Sequence, residues 1–187
     1  MSMWAARVDE GFMFGDLTPA AVETLKGVPM LIESSDSRVR DRLLPETCSK
    51  EEDEQHWREH AVPELERLFL SRAQLVRRDL ATLRKIPDTP NSVLLVLDEH
   101  VNAWVAALNA ARLALFALND MTAEHLDVDG FDKASPKQRE AILRLDMMAE
   151  MQGVMLGEYE FDDDDTDGDD ADDDTEDGGS FEDFIMD

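Results

Sequence analysis

Val101-Asn102-Ala103-Trp104-Val105-Ala106-Ala107-Leu108-Asn109-Ala110-Ala111-Arg112-Leu113-Ala114-Leu115-Phe116-Ala117-Leu118 is the stretch that decides the architecture. Arg112 is its only formal charge, and Asn102 and Asn109 are its only other strongly polar side chains. A helix that is apolar on most of its faces belongs at the centre of a bundle, and the alanines let neighbouring helices approach closely. The same three polar groups are costly in lipid, so a membrane span is rejected. The helix is expected to begin at Asp98 and to run to about Leu118.

Working outward, residues 92–97 are a short branched run that reads as a strand. It could join a hairpin expected over residues 4–14, where apolar and polar residues alternate loosely and Gly11 is available for the turn. Thr18 and Pro19 fit the N-cap and first position of a helix that Gly27 is placed to stop. Ser49-Lys50-Glu51-Glu52 has capping-box spacing and opens a highly charged helix. A further helix is expected from Pro63 to about Lys85, ended by Pro87 and Pro90, with an apolar stripe of Leu65, Leu68, Phe69, Leu75, Val76, Leu80 and Leu83. Ser135-Pro136-Lys137-Gln138 is a second capping box. It starts a last helix with Ile142, Leu145, Met148, Ala149, Gln152 and Leu156 on one face. The fold class is therefore mainly α, a helical bundle with a small N-terminal hairpin or three-stranded sheet.

Charge divides the chain in two. Residues 158–187 hold seventeen acidic side chains and no Lys or Arg, which leaves 27 acidic and 18 basic groups on residues 1–157. The first part is the size of one ordinary domain. The second has little to bury and repels itself, so it is expected to be a disordered acidic tail. Its end changes character, with Phe181, Phe184, Ile185 and Met186 forming a short apolar motif on a polar tether. A net charge of −26 argues against direct nucleic-acid binding and favours a basic protein partner. A single cysteine, Cys48, and a start without an apolar core for a signal peptide make the cytoplasm the expected compartment.

Three groups of residues could carry chemistry. His56-Trp57-Arg58-Glu59-His60 matches the inverted zinc-protease pattern, which on a helix puts both histidines on one face. Glu59 would act as base, and a third ligand would have to come from a residue such as Glu124 or Glu140. The more ordinary reading is an exposed charged helix on which Trp57 packs down. Asp163, Asp165, Asp167 and Gly168, with Asp174 in twelfth place, approach a calcium-loop spacing that an Asp-rich segment also produces by chance. Arg112, on the most apolar helix, needs a partner. Asp146 is the first expectation, with Asp79 and Glu150 behind it. Together with Asn109 and Gln152 it marks either a structural ion pair that locks helices or a pocket for a ligand or partner. No Ser-His-Asp arrangement, phosphate cradle or basic recognition helix is visible, so no enzyme, catalytic residue, metal or cofactor is expected.

Arg42-Leu43-Leu44-Pro45, Pro63-Glu64-Leu65, Leu97-Asp98-Glu99, the block from Ala103 to Leu115, and Leu145 with Met151-Gln152 occur in an order that resembles a bacterial domain family of unknown function. That family is of actinobacterial type and is often encoded beside the adaptor that delivers N-degron substrates to the Clp protease. The resemblance implies a mostly helical fold with a small N-terminal sheet and brings no catalytic assignment. The acidic tail stands outside it. The expected function is a non-enzymatic cytoplasmic interaction or regulatory module, linked to Clp-dependent proteolysis. Its tail would recruit a basic partner or cover its own body, with Asn109, Arg112, Gln152, Phe181, Phe184, Ile185 and Met186 as interaction residues. The alternatives are a zinc hydrolase on His56, Glu59 and His60, and a polyanionic mimic of nucleic acid.

Overall fold

The structure, a computed structural model, describes residues 3–127 and 129–158. The acidic segment beyond Glu158, with the calcium-loop spacing and with Phe181, Phe184, Ile185 and Met186, lies outside the described residues.

Strands β1 (Trp4–Val8) and β2 (Gly11–Leu17) form the expected antiparallel hairpin. Its turn is Asp9-Glu10, and Gly11 opens the second strand instead of making the bend. Gly11 is needed there for a different reason: its φ is +156°, and a Cβ would lie 2.1 Å from the carbonyl oxygen of Val96. Short strand β3 (Arg84–Lys85) and β4 (Ser92–Leu97) complete a four-stranded antiparallel sheet in the order β1-β2-β4-β3. The pairing of β2 with β4 slips between Phe14 and Leu17, where Asp16 adopts a left-handed φ of 57°. Its carboxylate accepts a hydrogen bond from Asn91 Nδ2 at 2.5 Å, which holds the bulge.

Helix α1 (Pro19–Ile32) starts as its sequence dictates, with Thr18 Oγ1 accepting the Ala21 N–H at 3.2 Å. It does not stop at Gly27. Val28, Pro29 and Ile32 are buried, and packing of that last turn outweighs the one donor that Pro29 removes near the helix end. Helices α2 (Ser37–Leu43), α3 (Glu51–His60) and α4 (Val62–Leu80) follow. Ser49 does not cap α3. Glu54 does the corresponding work from inside the helix, taking the N–H groups of Thr47 and Cys48 at 3.0 Å each. Helix α4 ends at Leu80, five residues before the expected Lys85, because residues 84 and 85 pair with β4.

Helix α5 (Asp98–Leu118) packs against α1, α2, α4 and α7 (Pro136–Met155), the central position its composition requires. Trp104, Ala107, Leu108, Ala111 and Ala114 are fully enclosed. By length and composition this helix could cross a bilayer, yet here it packs against four helices. Phe14, Leu17, Leu94 and Val96 carry the sheet into the same core. Between α5 and α7 lie a single 3-10 turn (Ala123–Leu126) and the short α6 (Gly130–Lys133). Ser135 caps α7, its hydroxyl facing the Gln138 N–H while Gln138 Oε1 accepts the Ser135 N–H at 3.0 Å.

Candidate functional site: a groove between two helices

Asn109, Arg112, Leu113 and Phe116 stand at i, i+3, i+4 and i+7 on α5 and share one face. Ile142, Leu145 and Asp146 present a matching face of α7. With Arg42 from the end of α2, and with the 3-10 turn and Phe131 as the far wall, they enclose a groove of about 720 Å³. That is within the ~300–1,000 Å³ range of ligand pockets.

The far wall exists because α5 is terminated sharply. Asp120, at φ 48°, follows the helix cap, the Asp120 N–H reaches Ala117 O and the Met121 N–H reaches Phe116 O, a Schellman closure that turns the chain back. Thr122 and His125 cap the 3-10 turn reciprocally. Gly130 then lets α6 close on that turn, since a Cβ would sit 2.2 Å from Glu124 O. Arg139 of α7 pins α6 by donating to the carbonyls of Phe131 and Asp132, at 3.0 and 2.6 Å.

Arg112 is the polar centre. Its Nη1 donates to Gln152 Oε1 at 2.7 Å, and Gln152 Nε2 donates to Val105 O at 2.9 Å, tying α7 to two turns of α5. The expected carboxylate partner is absent among the described residues. Asp146 lines the same groove without pairing with Arg112, Glu150 is exposed, and Asp79 is committed elsewhere. A neutral amide oxygen therefore faces the guanidinium, and the buried Arg112 Nε has no hydrogen-bond partner among the described residues. Arg42 is similarly without a carboxylate among them and lies over the Phe116 ring at 5.7 Å. The walls between are apolar: Leu113, Phe116, Leu126, Phe131, Ile142 and Leu145. Asp127 and Asp146 also line the groove. Two smaller cavities differ in this respect. The one of about 280 Å³ holds Arg40 and Glu66 as an ion pair at 3.0 Å. In the one of about 400 Å³, Lys26 pairs with Glu23 at 3.0 Å and Arg144 with Glu140 at 3.8 Å.

Asp79 shows where the sequence reading went astray. It is buried, and its Oδ2 accepts from Trp104 Nε1 and meets His100 Nδ1, both at 2.9 Å. The indole N–H of a buried Trp needs an acceptor, and that demand was readable from Trp104 itself. His56 and His60 do share a face, their rings 4.4 Å apart, but α3 buries no residue and Glu59 accepts from Gln55 Nε2. Glu140 is engaged with Arg144. Among the described residues no three His, Cys, Asp or Glu side chains gather to hold a metal ion.

The structure thus places Asn109 and Arg112 on one groove, holds the buried Gln152 against Arg112 without making it a lining residue, and leaves the four tail residues outside the described region. Arg42, Leu126 and Phe131 are groove residues that sequence reasoning did not single out. The i, i+3, i+4, i+7 set on α5 was a usable signal for one wall, whereas nothing periodic marks residues 119–134. No curated protein and no solved structure matches the chain. Residues 16–180 match the family described as a domain of unknown function, DUF2017. The match starts inside β2 and runs to residue 180, which takes most of the acidic segment into the family and corrects the expectation that the tail stands outside it. Covering far more than half of the sequence, that match settles the family: the chain belongs to DUF2017.

Proposed function

We propose that this protein is a non-enzymatic cytoplasmic interaction module that docks a partner in the groove between α5 and α7, as a regulator of Clp-dependent proteolysis. One observation carries the reading: Arg112 lines the groove with a single neutral acceptor, Gln152 Oε1, and no carboxylate paired to it among the described residues. A guanidinium in that state has donors to offer a ligand. The groove's other polar groups include the amide of Asn109, which binds and orients but does not exchange protons at neutral pH, and the carboxylates of Asp127 and Asp146. His125 lines the groove as well, with its Nδ1 accepting the Thr122 N–H at 3.0 Å. The link to Clp rests on the family resemblance alone. In this reading the acidic tail attracts a basic partner or covers the groove.

Affinity capture tests the proposal, with full-length protein, residues 1–157, Leu126→Asp and Arg112→Met compared side by side. Leu126 is 55% exposed, so its substitution alters the groove without touching the core. Partners that include Clp components, kept by residues 1–157 and lost from both groove variants, are the expected result. An unchanged capture profile from folded groove variants would overturn it.

A further inference from the structure

Resting on that groove reading, we infer that the groove's resident occupant is the chain's own segment 181–187, which docks there and must be displaced before a partner binds. Phe181, Phe184 and Ile185 are spaced i, i+3 and i+4, the anchor pattern of a helical turn laid into a groove. Glu182, Asp183 and Asp187 place carboxylates at its edges, and Arg42 and Arg112 are the guanidinium groups of the groove that have no carboxylate among the described residues. Asp127 and Asp146 limit how many of those carboxylates the groove accepts, so apolar contact carries affinity and the arginines set orientation. The tether fits as well. Twenty-two residues separate Glu158 from Phe181. A chain of that length has a root-mean-square reach of roughly 26 Å. The path back along α7 from Glu158 to Asp146 is only ~18 Å at helical rise. A tethered segment experiences an effective concentration on the order of millimolar, so even weak intrinsic binding keeps the groove filled.

The test uses full-length protein and a full-length Phe184→Asp/Ile185→Asp variant whose own segment is disabled. The probes are a fluorescent peptide of residues 180–187, read by anisotropy, and the apolar sulfonate anilinonaphthalene sulfonate, read by fluorescence. The peptide is expected to bind the variant at least ~10-fold more tightly than it binds wild type, where the tethered copy competes. Adding Leu126→Asp to the variant should abolish that binding. Equal binding to both proteins, no binding to the variant, or indifference to Leu126→Asp each overturns the inference. The sulfonate separates the two levels. If it binds the variant, is lost with Leu126→Asp and Arg112→Met, but is not displaced by peptide, the groove reading stands and self-docking falls. Indifference of the sulfonate to both groove substitutions removes both.

Discussion

One helix, α5, carries two polar insertions in its apolar surface, and they are built differently. Toward α4, Asp79 is buried and its Oδ2 serves both Trp104 Nε1 and His100 Nδ1 at 2.9 Å. Toward α7, Arg112 receives one amide oxygen, keeps a buried Nε without a partner among the described residues, and opens onto a groove of about 720 Å³. The first arrangement is satisfied and closed, as a buried charge must be if it is structural. The second leaves a guanidinium donor unpaired among the described residues. A polar group held in a core for stability completes its bonds within the fold, whereas one held for recognition leaves bonds for something else.

The largest effect is expected on the closed side. Trp104 is fully buried, and Trp104→Ala should cost about 3–5 kcal/mol in denaturant unfolding through the cavity it leaves. Asp79→Ala should cost ~1–3 kcal/mol, because it strands the indole N–H without an acceptor. A ring-nitrogen-labelled spectrum of Trp104 should show that proton shifted and exchanging faster. A loss near zero for Asp79→Ala would erase the distinction between the two sides of α5.

On the open side, Arg112→Met should move stability by less than about 1 kcal/mol. The lost bond leaves Gln152 Oε1 unpaired, but the half-satisfied guanidinium is removed with it. The same variant should lose partner capture. If it destabilised the fold as much as Asp79→Ala does, Arg112 would be a structural lock and the groove an accident of packing.

How much of this was legible beforehand follows the range of each interaction. Thr18 at the head of α1 and the Ser135–Gln138 box act over three residues, and both were readable in place. The apolar run of α5 announced a central helix because composition alone determines how much of a helix must be covered. The errors arose where a distant contact overrode a local signal. Gly27 looks like a helix end, but burial of Val28, Pro29 and Ile32 keeps α1 going. Leu83 extends the stripe of α4, yet the edge of β4 draws Arg84 and Lys85 into a strand. Asp146, six residues before Gln152, looks like the better partner for Arg112 by charge, but position along α7 decides against it. The groove's far wall depends on the left-handed Asp120 and on the fit of Gly130, neither of which shows as a periodic pattern.

The smallest expected effect belongs to a half-buried charge on α3, which sharpens the contrast with both insertions on α5. Glu54 accepts the Cys48 N–H and the Thr47 N–H and pairs with Arg58 Nε at 2.8 Å. Those interactions, the backbone N–H of Cys48 first among them, outweigh desolvation and hold its carboxyl below the usual range of a glutamate. A depressed folded-state pKa means that the charged form is favoured by folding. Its contribution is therefore complete above the ordinary carboxylate pKa of about 4.3 and is lost as pH falls through the lower folded value. Glu54→Gln removes this term, so the stability of the variant should fall less steeply than that of wild type between about pH 5 and pH 3. Unfolding midpoints measured across that interval would show the two curves converging toward acid. Parallel curves would mean that the start of α3 is held by its own backbone, and that Glu54, unlike Asp79, supports nothing beyond itself.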